Sequence, residues 1–209
     1  MNSGGVAKDL SKLRQGLWLL VGASALALAV LYFLWLPDRS TTIVASSGQP
    51  SITSSFKLTS HKGQSFTLEN ITGKPTLIFF GFLSCPDVCP STLNDISGWL
   101  EALGSDADRL NTVYVSVDPA RDTPQLMADY LSSFDSRIVG VTGPEMELQK
   151  LTKPLGVFYE KQKTTDAGYT MNHTASVLLL DRHATLERTI DYHEKRSIAV
   201  QKIRLSLRR

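Results

Sequence analysis

Residues 76–90 read TLIFFGFLSCPDVCP. The first half is an unbroken apolar run, Leu77-Ile78-Phe79-Phe80, which predicts a strand buried on both faces of a layered α/β domain. The second half holds the only two cysteines of the chain, Cys85 and Cys89, and a helix is predicted to follow from about residue 88 to 103. On a helical turn, positions i and i+4 share a face. The two sulfurs can therefore close a disulfide or grip one metal ion, and the spacing alone does not choose.

Strand and helix signals alternate around this stretch. Residues 56–70 form two short alternating runs about His61-Lys62-Gly63-Gln64, the pattern of a β-hairpin. Downstream, strands are predicted at 110–117, 137–141, 156–162, 175–181 and 186–191. The strands at 156–162 and 175–181 are joined by a polar loop. Thr123 is placed to cap a helix that has Pro124 at its first position. A further helix opens after Gly143-Pro144, and Ala199, Ile203 and Leu207 fall on one stripe of a terminal amphipathic helix. This alternation indicates an α/β domain with a mixed central sheet flanked by helices. No internal repeat is present.

Residues 17–36 (LWLLVGASALALAVLYFLWL) carry no charge, and twenty such residues suffice for a single transmembrane helix. Trp18, Tyr32 and Trp35 lie near the ends, where aromatic side chains favour the interface. Lys8, Lys12 and Arg14 precede the run and only Arg39 follows closely, so the amino end is expected in the cytoplasm. The organisation expected is a cytoplasmic segment 1–16, an anchor 17–36, a Ser/Thr/Gly/Pro-rich tether 37–55 and a domain 56–209. The setting expected is a bacterial inner membrane with the domain in the periplasm. There a cysteine pair meets oxidising conditions. The net charge of +2 resides in the first 36 residues, which leaves 19 basic and 19 acidic groups beyond them. Such a balance argues against nucleic-acid binding, which needs a concentrated basic surface.

A merely structural disulfide is a poor account of Cys85 and Cys89. Closing so short a loop returns only about 2 kcal/mol by chain entropy, and a domain of this size can stand on its core. A loop between a central strand and a helix N-terminus favours thiolate, which both disulfide exchange and soft-metal binding require. Asp87 opposes thiolate formation but favours a bound cation. Of the four histidines, His61, His183 and His193 fall in turns or beside charges, where solvated side chains are expected. His173 stands in Tyr169-Thr170-Met171-Asn172-His173-Thr174 at the entrance to an apolar strand. Its spacing leaves a structural histidine and a third ligand equally open.

Three segments carry a resemblance: 80–90 (FGFLSCPDVCP), 116–124 (SVDPARDTP) and 172–176 (NHTAS) running into Leu180-Asp181. Gly140-Val141-Thr142-Gly143 and Gly156-Val157 fit as well. Over about residues 56–203, with the anchor, the sequence resembles the Sco/SenC family of membrane-anchored, thioredoxin-fold copper proteins. The resemblance implies a thioredoxin-like domain with an N-terminal β-hairpin, preceded by one transmembrane helix. It implies that Cys85, Cys89 and His173 bind one copper ion. Two thiolates suit Cu(I), and an added imidazole lets the site hold Cu(II).

The implied role is a periplasmic copper metallochaperone that helps assemble the binuclear copper centre of cytochrome c oxidase subunit II. A separate periplasmic copper donor is implied as well. The alternative is a thiol–disulfide reductase, with Cys85 and Cys89 as a redox-active pair that keeps the oxidase cysteines reduced. Thioredoxin-fold oxidoreductases usually carry a cis-proline before the strand facing the cysteines. The corresponding Met171-Asn172-His173 has none, which favours the metal carrier. Asn172 stands where the family commonly has Asp, and Leu83-Ser84 replaces a pair that is often more polar or aromatic. Asp118 and Arg121 suit either a docking surface or an ordinary salt-bridged turn.

Overall fold

The computed structural model describes residues 18–28, 30–32, 48–165 and 168–208. The expected hairpin forms as β1 (Lys57–Ser60) and β2 (Ser65–Thr67). It turns through Gly63 at φ 76°, a left-handed conformation open to glycine at little cost. The apolar run becomes β3 (Thr76–Gly81), every residue of which is buried, and the cysteine loop leads into α1 (Val88–Leu103). Next come β4 (Asn111–Ser116) and α2 (Pro124–Leu131). The Thr123 hydroxyl caps α2 by accepting from the Leu126 N–H. The chain continues through β5 (Ile138–Thr142) and α3 (Glu145–Thr152). It then forms β6 (Tyr159–Lys163), β7 (Tyr169–His173), β8 (Val177–Leu180), β9 (Leu186–Ile190) and α4 (Arg196–Leu207).

Seven strands make one mixed sheet in the order β2-β1-β5-β4-β3-β8-β9. β3, β4 and β5 are parallel, and the strands flanking them are antiparallel. This is a thioredoxin-like layout extended at one edge by the N-terminal hairpin. Side chains alternate across β3. Leu77 and Phe79 face a core shared with Ile96, Trp99, Leu100, Ala199 and Ile203 of α1 and α4. Ile78 and Phe80 face a second core with Phe56, Leu58, Leu148 and Leu151. Both faces of the strand are thus covered, as its apolar continuity requires. Truncating a core phenylalanine such as Phe79 to alanine costs about 3–5 kcal/mol.

The polar loop predicted between 156–162 and 175–181 contains a strand instead. β6 and β7 pair only with each other, from Tyr159↔His173 to Lys163↔Tyr169. A ribbon with mostly exposed or half-buried side chains carries no apolar alternation, so periodicity gave no sign of it. Residues 50–52, which composition places in the tether, also lie against the domain. Ser51 bridges Thr185, and Ile52 is buried. The chain divides into two units, Met1–Ser46 and Ser47–Arg209, and the sheet belongs to the second. Residues 18–28 and 30–32 are helical, while the rest of the expected transmembrane run 17–36 lies outside the described residues. Among the described residues, no helix is long and apolar enough to cross a membrane.

His61 corrects its expected role as a solvated turn residue. Its backbone N–H donates to the Gly140 carbonyl at 2.8 Å, and its ring Nδ1 accepts from the Gly140 N–H at 3.0 Å. The histidine thereby ties the hairpin turn to β5. Burial, aided by the Lys62 charge, lowers its pKa below the ordinary value. The neutral ring is the folded form, so this contribution is present above the unfolded-state pKa of about 6.5 and is lost as pH falls from there through the lowered folded-state value. His61→Ala should therefore be less stable than wild type at pH 7.5, with the gap narrowing at pH 5.5. Urea unfolding at both values checks this, and a gap independent of pH would contradict it.

Candidate metal centre

The site begins where β3 runs out. The strand's last residue is Gly81, and a side chain has no room there: a Cβ would lie 2.8 Å from Cys89 Sγ and 2.9 Å from the Tyr114 ring. The chain then loops over residues 82–87 and enters α1 with Cys89 as its second residue. Cys85 precedes the helix, half-buried, and its Sγ accepts from the Cys89 N–H at 3.5 Å. Its sulfur thus meets the helix N-terminus, where free N–H groups favour negative charge. Cys89 is fully buried, and the two thiols are free rather than bonded to each other.

His173 arrives from the ribbon, at the end of β7. Its Nε2 lies 3.5 Å from Cys89 Sγ, and its Nδ1 is 2.9 Å from the Thr174 carbonyl. A carbonyl oxygen only accepts, so Nδ1 carries the proton and Nε2 keeps a lone pair toward the sulfur. Phe79 and Phe82 hold the ring by edge contacts, with centroids 6.2 and 5.8 Å away. Burial lowers the His173 pKa, which favours the neutral, ligating imidazole. Burial also pushes the Cys89 thiol strongly up, partly offset by a hydrogen bond from the Phe82 backbone. A charged sulfur at that position therefore needs a cation beside it.

The ligand atoms of Cys85, Cys89 and His173 all lie within 4.8 Å of one another. Donors that share one ion at bond lengths of roughly 2.0–2.3 Å sit about 3.5 Å apart, so side-chain adjustment alone closes the set. Two soft sulfurs and an imidazole suit a thiophilic ion. The other histidines stay apart. His183 and His193 are exposed, and His61 serves the hairpin.

A second group of residues holds this arrangement, and motif reading captured it only in part. Asp118 and Asp122 are buried, so the SVDPARDTP segment is more than an exposed turn. Asp122 Oδ2 accepts from the Ser116 hydroxyl at 2.6 Å and from the Leu83 N–H at 3.0 Å. It thereby fastens the cysteine loop to the end of β4. Arg121 pairs with Asp118, donates to the Tyr169 carbonyl at 2.9 Å, and stacks its guanidinium 3.7 Å from the Tyr169 ring centre. The Tyr169 hydroxyl returns to Asp118 at 2.9 Å. Tyr169 and His173 open and close the same strand, so this cluster fixes the ribbon that presents the histidine. Tyr169 and Asp122 carry no sequence signal of their own, because their role rests on contacts 51 and 39 residues away in the chain.

Known proteins resemble most of this chain. The SCO1/SenC family model matches residues 44–208. Among solved structures, Bradyrhizobium japonicum ScoI with copper bound superposes with a TM-score of 0.69 at 41% identity. That match covers 75% of this chain and 99% of that one. Yeast Sco1 with copper bound gives a TM-score of 0.68 at 30% identity, covering 76% and 90% of the two chains. The sco1 protein of Schizosaccharomyces pombe is 33% identical over 150 residues, which is 70% of this chain and 57% of that protein. The chain spans less than two thirds of the length of the first curated relatives it matches.

Arg121→Ala should loosen the ribbon. Losing a charge-assisted hydrogen bond and the stacked cation raises local opening, with exchange of the β7 amides about tenfold faster. Hydrogen–deuterium exchange reads this directly. Unchanged protection of Tyr169–His173 would show that the ribbon is held by other means.

Proposed function

The chain belongs to the SCO1/SenC family, and from that premise we propose that it is a copper carrier that holds one ion on Cys85, Cys89 and His173. The observation that carries this reading is the His173 ring, with its Nδ1 proton committed to Thr174 and its Nε2 lone pair turned toward Cys89. That lone pair completes a donor set with the two sulfurs, all within 4.8 Å of one another. Copper is cargo here. The two thiolates hold Cu(I), the imidazole extends the set to Cu(II), and the half-exposed Cys85 is where an acceptor can begin to take the ion.

The acceptor in this reading is cytochrome c oxidase subunit II, whose binuclear copper centre the carrier helps to fill. Copper reaches the site from a separate periplasmic donor. Residues 17–36 anchor the chain in a bacterial inner membrane with residues 1–16 in the cytoplasm, and the tether and domain lie in the periplasm. Support for the anchor comes from the uncharged run and its basic flank. A second reading is favoured by the Cys85 sulfur at the N-terminus of α1. Such a thiol is set up for exchange, so the pair would reduce the oxidase cysteines before metal transfer.

The full-length reduced chain should bind one copper, and its Cu(II) form should show sulfur-to-copper charge-transfer absorption. His173→Ala should weaken Cu(II) binding far more than Cu(I) binding, because Cu(I) is content with two sulfurs. Competition with a chromophoric chelator measures both affinities. An unchanged Cu(II) spectrum and affinity in His173→Ala would remove His173 from the ligand set. Reduction of an oxidised oxidase peptide by a copper-free protein that transfers no copper would favour the second reading.

A further inference from the structure

Two buried hydroxyl groups near the cysteine pair make no hydrogen bond. Tyr114 Oη and Tyr130 Oη are both shielded from solvent and both unpartnered. Tyr114, on β4, is fully buried, and its oxygen lies 3.1 Å from the point a Cβ on Gly81 would occupy. Cys89 Sγ lies 2.8 Å from that same point. The missing side chain of Gly81 is therefore the space into which both the hydroxyl and the sulfur project. Tyr130, on α2, packs with the partly buried Cys85 against the same core, and its ring centre is 6.3 Å from that of Tyr114.

A buried hydroxyl without an acceptor weakens a fold, and phenylalanine would fill either position without that penalty. The presence of two such groups beside two sulfurs calls for an acceptor at the sulfurs themselves. A neutral thiol accepts hydrogen bonds poorly, whereas a thiolate accepts them strongly. Burial and the neighbouring sulfurs raise the pKa of both phenols, so both remain protonated donors.

We propose that the Tyr114 and Tyr130 hydroxyls are reserved as donors to the metal-bound thiolates, Tyr114 toward Cys89, and so set the affinity of the site for copper. The inference rests on the copper-carrier reading. Hydrogen bonds of this kind draw electron density from sulfur and stabilise its negative charge once the ion is bound. A neutral thiol accepts such bonds poorly, so the hydroxyls favour the loaded state over the empty one. Both tyrosines are positioning residues, since neither phenol is a ligand.

Tyr114→Phe, Tyr130→Phe and the double variant test this in the full-length chain. Three quantities are read: the thermal midpoint without metal, the Cu(I) affinity by chelator competition, and the energy of the Cu(II) charge-transfer band. The expected result is a metal-free midpoint that is unchanged or raised, with Cu(I) affinity roughly tenfold weaker. The charge-transfer band should move to longer wavelength as the sulfur becomes a better donor. A merely structural tyrosine would lower the midpoint and leave the band in place, and that pattern overturns the proposal for the residue concerned. Variants matching wild type in affinity and band overturn the inference while the carrier reading stands. A wild-type protein that takes up no copper overturns both. Should Tyr114→Phe fail to fold, that too shows a structural hydroxyl, and Tyr130→Phe on the helix supplies the independent test.

Discussion

Cys89 Sγ and His173 Nε2 meet at 3.5 Å across 84 residues of chain, and the surrounding structure is arranged to keep that contact. The sulfur is placed by β3, whose burial on both faces fixes where the strand ends and α1 begins. The imidazole is placed by a ribbon outside the main sheet, which has no core of its own. Arg121 and Tyr169 compensate for that by fastening the ribbon to the loop after β4. Asp122 fastens the cysteine loop to the same place. One short segment, 116–124, thus holds both halves of the site.

Electrostatics explains why such a site is stable without charge and receptive to it. Cys89 is buried and its thiol resists ionisation. Asp122 sits close by, with burial raising its own pKa. A cation arriving beside Cys89 offsets the desolvation that opposes a thiolate there. His173 stays neutral for the same reason and is therefore already in its ligating form. Cys89 and His173 thus favour their uncharged forms, and a bound cation would stabilise a thiolate at Cys89.

The parts legible in the sequence are those whose physics is local. The apolar continuity of 77–80 marked the central strand, and the helix after Cys89 followed from spacing. The Thr123-Pro124 cap gave the start of α2. The hairpin at 56–70 and the terminal amphipathic helix were visible for the same reason. β7 was missed because a solvated two-stranded ribbon buries too little on either face to leave an alternating pattern. Residues 50–52 read as tether because their pairing with 184–186 is long-range. His61 looked solvated because its partner, Gly140, is 79 residues away. Cys85 and Cys89 stood out unaided, while His173 needed the resemblance. The contacts of Tyr169 and Asp122, and the two orphan phenols, emerged only from three-dimensional structure.

A single copper ion held by Cys85, Cys89 and His173 would have two sulfurs and one imidazole nitrogen as its neighbours. X-ray absorption at the copper edge of the loaded full-length chain tests it most directly. The expected spectrum shows two sulfur neighbours and one nitrogen neighbour belonging to an imidazole, with the imidazole scattering lost in His173→Ala. A copper shell of nitrogen and oxygen alone, or one sulfur per ion, would contradict it.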